Sequence, residues 1–211
     1  MTFIVDRRIA ELLCSRICHE LVAGVAAVNN GVELISEIDA SMMDETMALI
    51  GSSAKQASGR VQYYRMAYGF AGYEALPSMA AVDALIAGLV ETERRFKLAK
   101  RDGPASAPLQ PGWGKLLLNL TVLALECLPK GGSVAPSATA AVGKTVLTVV
   151  GRGEEARPPD RYREVLDGKV GTADVTAMNV HAYYTAALAG EAGGRLDTDF
   201  AGGAATLSVR V

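Results

Sequence analysis

The stretch from Leu12 to Glu37 constrains the fold more than any other part of the sequence, because its pattern predicts a long amphipathic helix. Apolar residues recur there at spacings of three and four, which places them on one face of a helix that turns about 100° per residue. This stripe consists of Leu13, Ile17, Leu21, Val25, Val28, Val32 and Ile35. Asn29, Asn30 and Gly31 are poor helix formers. The stripe nevertheless continues through them in register, so we expect one helix over residues 6–38.

A second amphipathic helix is expected at about residues 42–70. Its stripe consists of Met43, Met47, Ile50, Ala54, Ala57, Val61, Tyr64 and Tyr68. A short link between two long helices produces an antiparallel hairpin. One hairpin buries both stripes poorly, whereas two hairpins from two copies of the chain close a four-helix bundle. We therefore predict a homodimer through this region. The alternative is that the hairpin packs on the second half of its own chain.

The second half alternates helical and strand patterns. We expect helices at 77–91, 113–128, 160–167 and 174–191, and strands at 94–100, 133–140 and 144–150. Two more strands are joined by Ala201-Gly202-Gly203, and a proline-rich loop covers 101–112. These elements predict an α/β sandwich with helices on one face of a mixed sheet. The fold class is therefore α+β, with one domain over residues 1–72 and a second over 73–211.

Composition excludes several classes of function. The formal net charge of −2 gives no reason to expect binding to nucleic acid or to an anionic membrane. No apolar run approaches the roughly 20 residues that span a bilayer, and the first residues do not resemble a signal peptide. Three cysteines, an odd number, fit a reducing cytoplasm better than a disulfide framework.

Three local patterns suggest sites that the sequence does not complete. Cys14, Cys18 and His19 do not converge on a helix and lack a fourth ligand, so we expect buried thiols rather than a metal site. Gly143-Lys144-Thr145 looks like the end of a P-loop, but a strand follows where a helix is needed. A glycine-rich run at 151–156 is followed by two prolines, which exclude the helix that a dinucleotide site requires.

His19 lies on the side of the first helix opposite the apolar stripe. Its face carries Leu12, Ser15, Arg16, Ala23 and Ala26. Small side chains beside an exposed imidazole allow another protein to approach closely. An ordinary solvated histidine is the alternative for a lone imidazole on a polar helix face.

Two sequence segments give this histidine a context. Ile17-Cys18-His19-Glu20-Leu21 resembles the H-box of histidine-kinase dimerisation helices, in which an acid follows the phospho-accepting histidine. The longer run LLCSRICHELVAGVAAVNNGVEL is similar to the dimeric histidine phosphotransferases of alphaproteobacterial phosphorelays, the ChpT-like family. Here Glu20 replaces that family's commoner aspartate, and Gly24 lies near the position where many kinases have a proline.

The second half resembles a histidine-kinase ATPase (Bergerat) domain that has lost its nucleotide chemistry. The helix from Lys115 to Ala124 is similar to the N-box helix of those domains, and the tail from Gly193 resembles their closing hairpin. No DxGxG box follows the strand at 144–150, and Met178-Asn179-Val180-His181 replaces the glycine-rich segment. The resemblance therefore implies a degenerate domain that holds no nucleotide or metal cofactor of its own.

The resemblance implies a function for the chain. His19 is expected to relay a phosphoryl group between receiver-domain aspartates of a hybrid histidine kinase and of response regulators, without ATP. Glu20 is expected to orient the imidazole and Arg16 to neutralise phosphoryl oxygens. The expected receiver-docking residues are Leu12, Ser15, Arg16, Ala23 and Ala26, and the receiver is expected to supply Mg²⁺. Two alternatives remain open, an ATP-dependent sensor kinase module and a non-catalytic scaffold that docks receivers.

Overall fold

A helical hairpin forms the first third of the molecule. The computed structural model describes residues 6–91, 93, 95–100, 108–141 and 143–211. Helix α1 spans Arg7–Ile35 and helix α2 spans Met43–Ala67, with a short 3₁₀ turn at Ala40–Met42 between them. The carboxylate of Asp6 caps α1 by accepting a hydrogen bond from the backbone N–H of Ile9 at 3.3 Å. The single long first helix is therefore confirmed, including its passage through Asn29, Asn30 and Gly31.

Glycines set the distance between α1 and α2. Gly24 and Gly31 are the buried residues of α1. A Cβ at Gly24 would lie 3.0 Å from the Cβ of Ala57, and one at Gly31 would lie 2.5 Å from Cγ1 of Ile50. The two helices therefore approach more closely than larger side chains at these positions would allow. Close packing compensates for the poor helix propensity of glycine here.

The rest of the chain forms a layer of helices on a mixed sheet. The helices are α3 (Met79–Val90), α4 (Trp113–Glu126), α5 (Asp160–Leu166) and α6 (Val180–Glu191). The strands are β1 (Phe96–Leu98), β2 (Gly132–Ala141), β3 (Lys144–Arg152), β4 (Leu196–Asp199) and β5 (Ala204–Arg210). Their order is β1-β2-β3-β5-β4; β1 pairs with β2 in parallel and the other pairs are antiparallel. The predicted α+β class is confirmed.

Helix α4 lies at the centre of the core. Its residues from Gly114 to Ala124 are all buried. Alternate residues of β3, such as Leu147 and Val149, point into the same core. On the other side, the Tyr63 hydroxyl of α2 donates a hydrogen bond to the Leu118 carbonyl at 2.7 Å. The end of the hairpin that contains Tyr63 therefore shares one hydrophobic core with the α/β half.

One predicted helix is much shorter than expected. The sequence pattern predicted a helix over 174–191, but α6 begins only at Val180. Residues Thr172–Asp174 form a 3₁₀ turn and Val175 is extended. The Asn179 side chain then accepts a hydrogen bond from the Thr176 backbone N–H at 2.7 Å, which holds a turn immediately before α6. Asparagine competes with helical hydrogen bonding in this way.

The remaining boundaries agree with the prediction to within a few residues. In the predicted turn between β4 and β5, Gly202 and Gly203 have positive φ values of 59° and 71°. Residues 101–107 of the predicted loop and residue 94 of the predicted first strand lie outside the described residues. Within the described residues, no helix combines the length and apolar character that a membrane span requires.

Candidate functional site

His19 is exposed to solvent on α1. Of the other residues on its face, Ser15, Ala23 and Ala26 are exposed and Leu12 is half-buried. The Ser15 hydroxyl donates to the Glu11 carbonyl at 2.9 Å, one turn earlier in the same helix. The structure therefore places these side chains on one accessible surface around the imidazole, as the helical spacing predicted.

The α/β half contributes one wall of the His19 site. An open cavity of about 270 Å³ is lined by Ser15, Arg16, His19 and Glu20 of α1 and by Glu126, Arg161, Ala177 and Met178 of the second half. Sequence reasoning missed these last four residues. They are separated from His19 by more than 100 positions, and the periodicity of a single helix cannot show which distant loop packs beside it.

Arg16 is tied to the second half of the chain. One of its guanidinium nitrogens lies 2.5 Å from Oε1 of Glu126, and its side chain is only 11% exposed. The Tyr162 hydroxyl donates a hydrogen bond to the other oxygen of Glu126. Arg16 was predicted to neutralise phosphoryl oxygens and to contribute to receiver docking, and that role stays a prediction. In the structure, the Arg16 guanidinium neutralises a carboxylate at the end of α4.

The charges of this cluster reinforce each other. Burial raises the pKa of Glu126, but the positive charge of Arg16 and hydrogen bonds from Tyr162 and Arg16 act in the opposite direction, and the pKa is lowered overall. Burial lowers the pKa of Arg16, and the negative charge of Glu126 raises it above its ordinary value. The pair is therefore fully ionised at neutral pH. Arg161 lies further from Glu126, at 3.8 Å, and is more exposed at 38%.

Glu20 faces the groove between α1 and the core. It is half-buried and also lines a second cavity of about 150 Å³ together with Tyr64, Leu89 and Phe96. Burial raises the pKa of Tyr64, and the charge of Glu20 raises it further. The carboxylate thus lies between the His19 cavity and the second cavity. Its predicted role in orienting the imidazole stays a prediction.

The second histidine has a different environment. His181 is fully buried, and its Nε2 lies 3.1 Å from the Asn119 carbonyl oxygen while its Nδ1 lies 2.9 Å from the Tyr68 hydroxyl. Since the carbonyl only accepts, Nε2 carries the proton and Nδ1 accepts from Tyr68. Burial lowers the pKa of His181 to about 4. The ring is neutral and engaged at both nitrogens, which is the environment of a structural residue.

The expectation of buried thiols in α1 was wrong for the single chain. Cys14 and Cys18 are both exposed, whereas Cys127 is buried. The reason is that α2 packs on the side of α1 that carries Gly24 and Gly31, which leaves the edge of the predicted stripe uncovered. No group of three or more His, Cys, Asp or Glu side chains suited to a metal ion occurs among the residues that the structure describes.

Comparison with known proteins identifies the family. The model of the histidine phosphotransferase C-terminal domain matches residues 79–204. The protein phosphotransferase ChpT of Brucella abortus (strain 2308) is 36% identical over 187 residues, which cover 88% of this chain and 87% of that protein. The chain belongs to the histidine phosphotransferase family. As its members do, it transfers phosphoryl groups in a phosphorelay.

Solved structures agree with this assignment. A bacterial phosphotransferase structure superposes with a TM-score of 0.82 at 29% identity, covering 99% of this chain and 98% of that one. The phosphotransferase fold thus extends over both the hairpin and the α/β half. The histidine kinase AdeS of Acinetobacter baumannii gives a TM-score of 0.43 at 13% identity, over 92% of this chain and 96% of that one.

The buried pair between α1 and α4 makes a prediction about stability. Arg16→Met and Glu126→Leu should each lower the free energy of unfolding by about 2 to 3 kcal/mol, because each leaves one charge without its partner in a mostly buried place. The double variant should lose less than the sum of the two by at least about 1 kcal/mol, because neither charge remains. Urea unfolding of the four proteins at pH 7 measures this coupling. Strictly additive losses would show that the two groups do not interact.

His181 makes a prediction about pH. Its folded-state pKa of about 4 lies below its ordinary value of 6.5, so the unfolded chain takes up the proton first as the pH falls. The contribution of His181 to stability is therefore fully present above pH 6.5 and is lost as the pH falls towards 4. The free energy of unfolding should fall by about 2 kcal/mol between pH 7 and pH 5. In His181→Gln, which does not titrate but can donate and accept, this contribution disappears and the pH dependence flattens. Urea unfolding of both proteins at pH 7, 6 and 5 compares the slopes, and equal slopes would refute the argument.

Proposed function

We propose that His19 is the residue that receives and passes on the phosphoryl group. The observation that supports this most strongly is the contrast between the chain's two histidines. His181 is buried with both nitrogens engaged, whereas His19 is exposed on a helix face lined by small side chains. An aspartyl phosphate of a partner protein can therefore reach only the imidazole of His19.

The reaction consists of two displacements at phosphorus, and the second is the reverse of the first with a different receiver aspartate. The lone pair of the unprotonated imidazole nitrogen attacks phosphorus, a P–N bond forms, the P–O bond to the receiver aspartate breaks, and a free carboxylate leaves. In the second step the aspartate of another receiver attacks the phosphohistidine, and the neutral imidazole leaves. Imidazole suits both steps because its neutral nitrogen can attack as a nucleophile and can also leave.

The surroundings of His19 divide the remaining tasks. We assign Glu20 to orienting the imidazole, since both side chains line the same cavity. Ser15, Ala23, Ala26 and the exposed part of Leu12 offer the receiver a surface without bulky groups. Arg16 contributes to docking by holding this surface in place through Glu126. The Mg²⁺ that neutralises the transferring phosphoryl group belongs to the receiver domain. The partners that carry such receivers are a hybrid histidine kinase upstream and response regulators downstream. The phosphorelay operates in the cytoplasm.

We also propose that the chain does not use ATP. Lys115 of α4 is almost entirely buried, and its ammonium donates to the carbonyls of Tyr68 and Gly69, both at 3.3 Å. Next to it, Tyr73, Gly112 and Glu191 line a cavity of about 150 Å³. Ligand pockets usually have volumes of about 300 to 1,000 Å³. This cavity beside Lys115 is therefore too small for a nucleotide. The proposal also rests on the sequence, because no DxGxG box follows β3 and residues 178–181 lack the glycines of a nucleotide-binding segment.

The hairpin carries an uncovered apolar strip that fits a second copy of the chain. Val25 and Val32 of α1 are each 55% exposed, and Met47 and Val61 of α2 are 53% and 48% exposed. Residues seven positions apart lie on the same side of a helix. Because Gly24 packs beside Ala57 and Gly31 beside Ile50, the two rows run along the same part of the hairpin. We propose that residues 1–72 form a dimerisation and phosphotransfer domain that closes a four-helix bundle, followed by a degenerate ATPase-like domain over 73–211.

The assignment of His19 predicts the outcome of a labelling experiment. When a ³²P-labelled receiver is mixed with the wild type, label should move to the protein, and onward to a second receiver. His19→Ala should accept no detectable label, while His181→Gln should accept it at close to the wild-type rate. Label retained by His19→Ala would end the assignment.

The same experiment separates the two alternatives. Incubation of the wild type with labelled ATP alone is expected to leave it unlabelled, whereas a sensor kinase module would label itself. A scaffold would bind the receiver but never take its label. Circular dichroism of His19→Ala checks that the variant is folded.

The dimer proposal predicts a change in mass. A Val25→Glu, Val32→Glu double variant should be a monomer, because two carboxylates in an apolar seam would lose their hydration without a partner. An Ala27→Glu, Asn30→Glu double variant adds the same charge at exposed positions of α1 away from the strip and should remain a dimer. Light scattering after size exclusion measures both masses. A wild type that is monomeric at micromolar concentration would contradict the proposal.

A further inference from the structure

The segment that precedes α6 stands beside His19. Residues Ala177 and Met178 line the same cavity as His19, Arg16 and Arg161. Met178 is 64% exposed, which is unusual for so large an apolar side chain. Any protein that brings an aspartate to the imidazole must occupy the space in front of this cavity. It then meets the Met178 side chain as well as α1.

The backbone of this segment is held in place from both sides. Val175 is fully buried, and its carbonyl accepts a hydrogen bond from the Arg8 guanidinium of α1 at 3.0 Å. The Asn179 side chain accepts from the Thr176 backbone N–H at 2.7 Å. Thr172 and Tyr183 are joined through their hydroxyls at 3.1 Å. The segment therefore presents Met178 at a fixed distance from α1.

The surroundings of Met178 match a binding surface better than an ordinary exposed residue. Single exposed apolar residues are common and need no explanation. Here, however, the residue lies at the edge of a cavity that also contains charged groups, Arg161 and Glu126. An apolar contact next to polar groups is the usual composition of a protein interface. Methionine also adapts its shape to different partners, because its side chain is unbranched and polarisable.

We propose that segment 172–179 is a second docking element for the receiver domain, with Met178 as its contact residue. The α/β half then acts in recognition rather than in nucleotide chemistry. A phosphotransferase of this kind must accept one receiver as donor and another as acceptor, and a flexible thioether fits both surfaces. The inference rests on the proposed function only in that the receiver docks at His19.

The test separates docking from chemistry. Met178→Ser should raise the KM for transfer from a purified, phosphorylated receiver domain about five- to tenfold with little change in kcat, since truncating an interface contact mainly weakens binding. Met178→Leu should keep a near wild-type KM because it keeps the apolar volume. Phosphoramidate, a small phosphodonor that needs no docking surface, should label His19 of all variants at equal rates.

A matched control removes an equally exposed apolar side chain elsewhere. Leu49 of α2 is 58% exposed. It lies next to Ile50, which packs on Gly31, and therefore about 18 Å beyond His19 along α1. Leu49→Ser should leave the KM unchanged.

Two results would overturn the proposal. One is a wild-type KM for Met178→Ser. The other is that Met178→Ser is labelled by phosphoramidate as poorly as by the receiver. Failure of the proposed function would look different, because the wild type itself would then take no label on His19 from either donor. In that case, calorimetric measurement of receiver binding to the wild type and to Met178→Ser would still test the docking element.

Discussion

The ion pair between Arg16 and Glu126 fixes the relation between the two halves of the molecule. Both side chains are largely removed from solvent, so each charge depends on the other to compensate its lost hydration. Tyr162 supplies a further hydrogen bond to the same carboxylate, which adds α5 to the contact between α1 and α4. An apolar contact would allow the helices to slide, whereas a paired carboxylate accepts its donors from defined directions only. The helix that carries His19 is therefore held in a fixed position against the α/β half.

This fixed position explains why residues from both halves of the chain line the candidate site. Arg16 and Glu126 are separated by 110 positions in the chain, yet they line the same cavity as His19. Other contacts act in the same direction: Asn119 donates to the Ala67 carbonyl at 2.7 Å, and Arg8 donates to that of Val175 at 3.0 Å. The α/β half is thus held beside the imidazole by bonds from both helices of the hairpin. On the proposal that the chain does not use ATP, this position beside the imidazole suits the α/β half to recognising a partner instead.

Sequence periodicity predicted the features that depend on local structure. The stripe of α1, the apolar run of α4 and the glycine turn at 201–203 each determine an element from within a few residues, and all three are confirmed. The exposed face of His19 followed from helical geometry alone. The start of α6 was missed because Asn179 uses its side chain to hold a turn where helix propensity is otherwise adequate. The exposure of Cys14 and Cys18 was missed because the stripe does not show which of its edges α2 covers.

Arg16 shows most clearly where sequence reasoning ends. On a helical wheel it lies near His19, and a guanidinium beside a phospho-accepting imidazole suggests direct charge neutralisation. The structure directs the same group towards Glu126, where its pKa is raised and its charge is already balanced. A paired arginine offers a phosphoryl group little further attraction, because its field is cancelled within a few ångströms. On the proposal that His19 accepts the phosphoryl group, Arg16 therefore acts by holding the histidine helix against the α/β half rather than by neutralising the transferred charge.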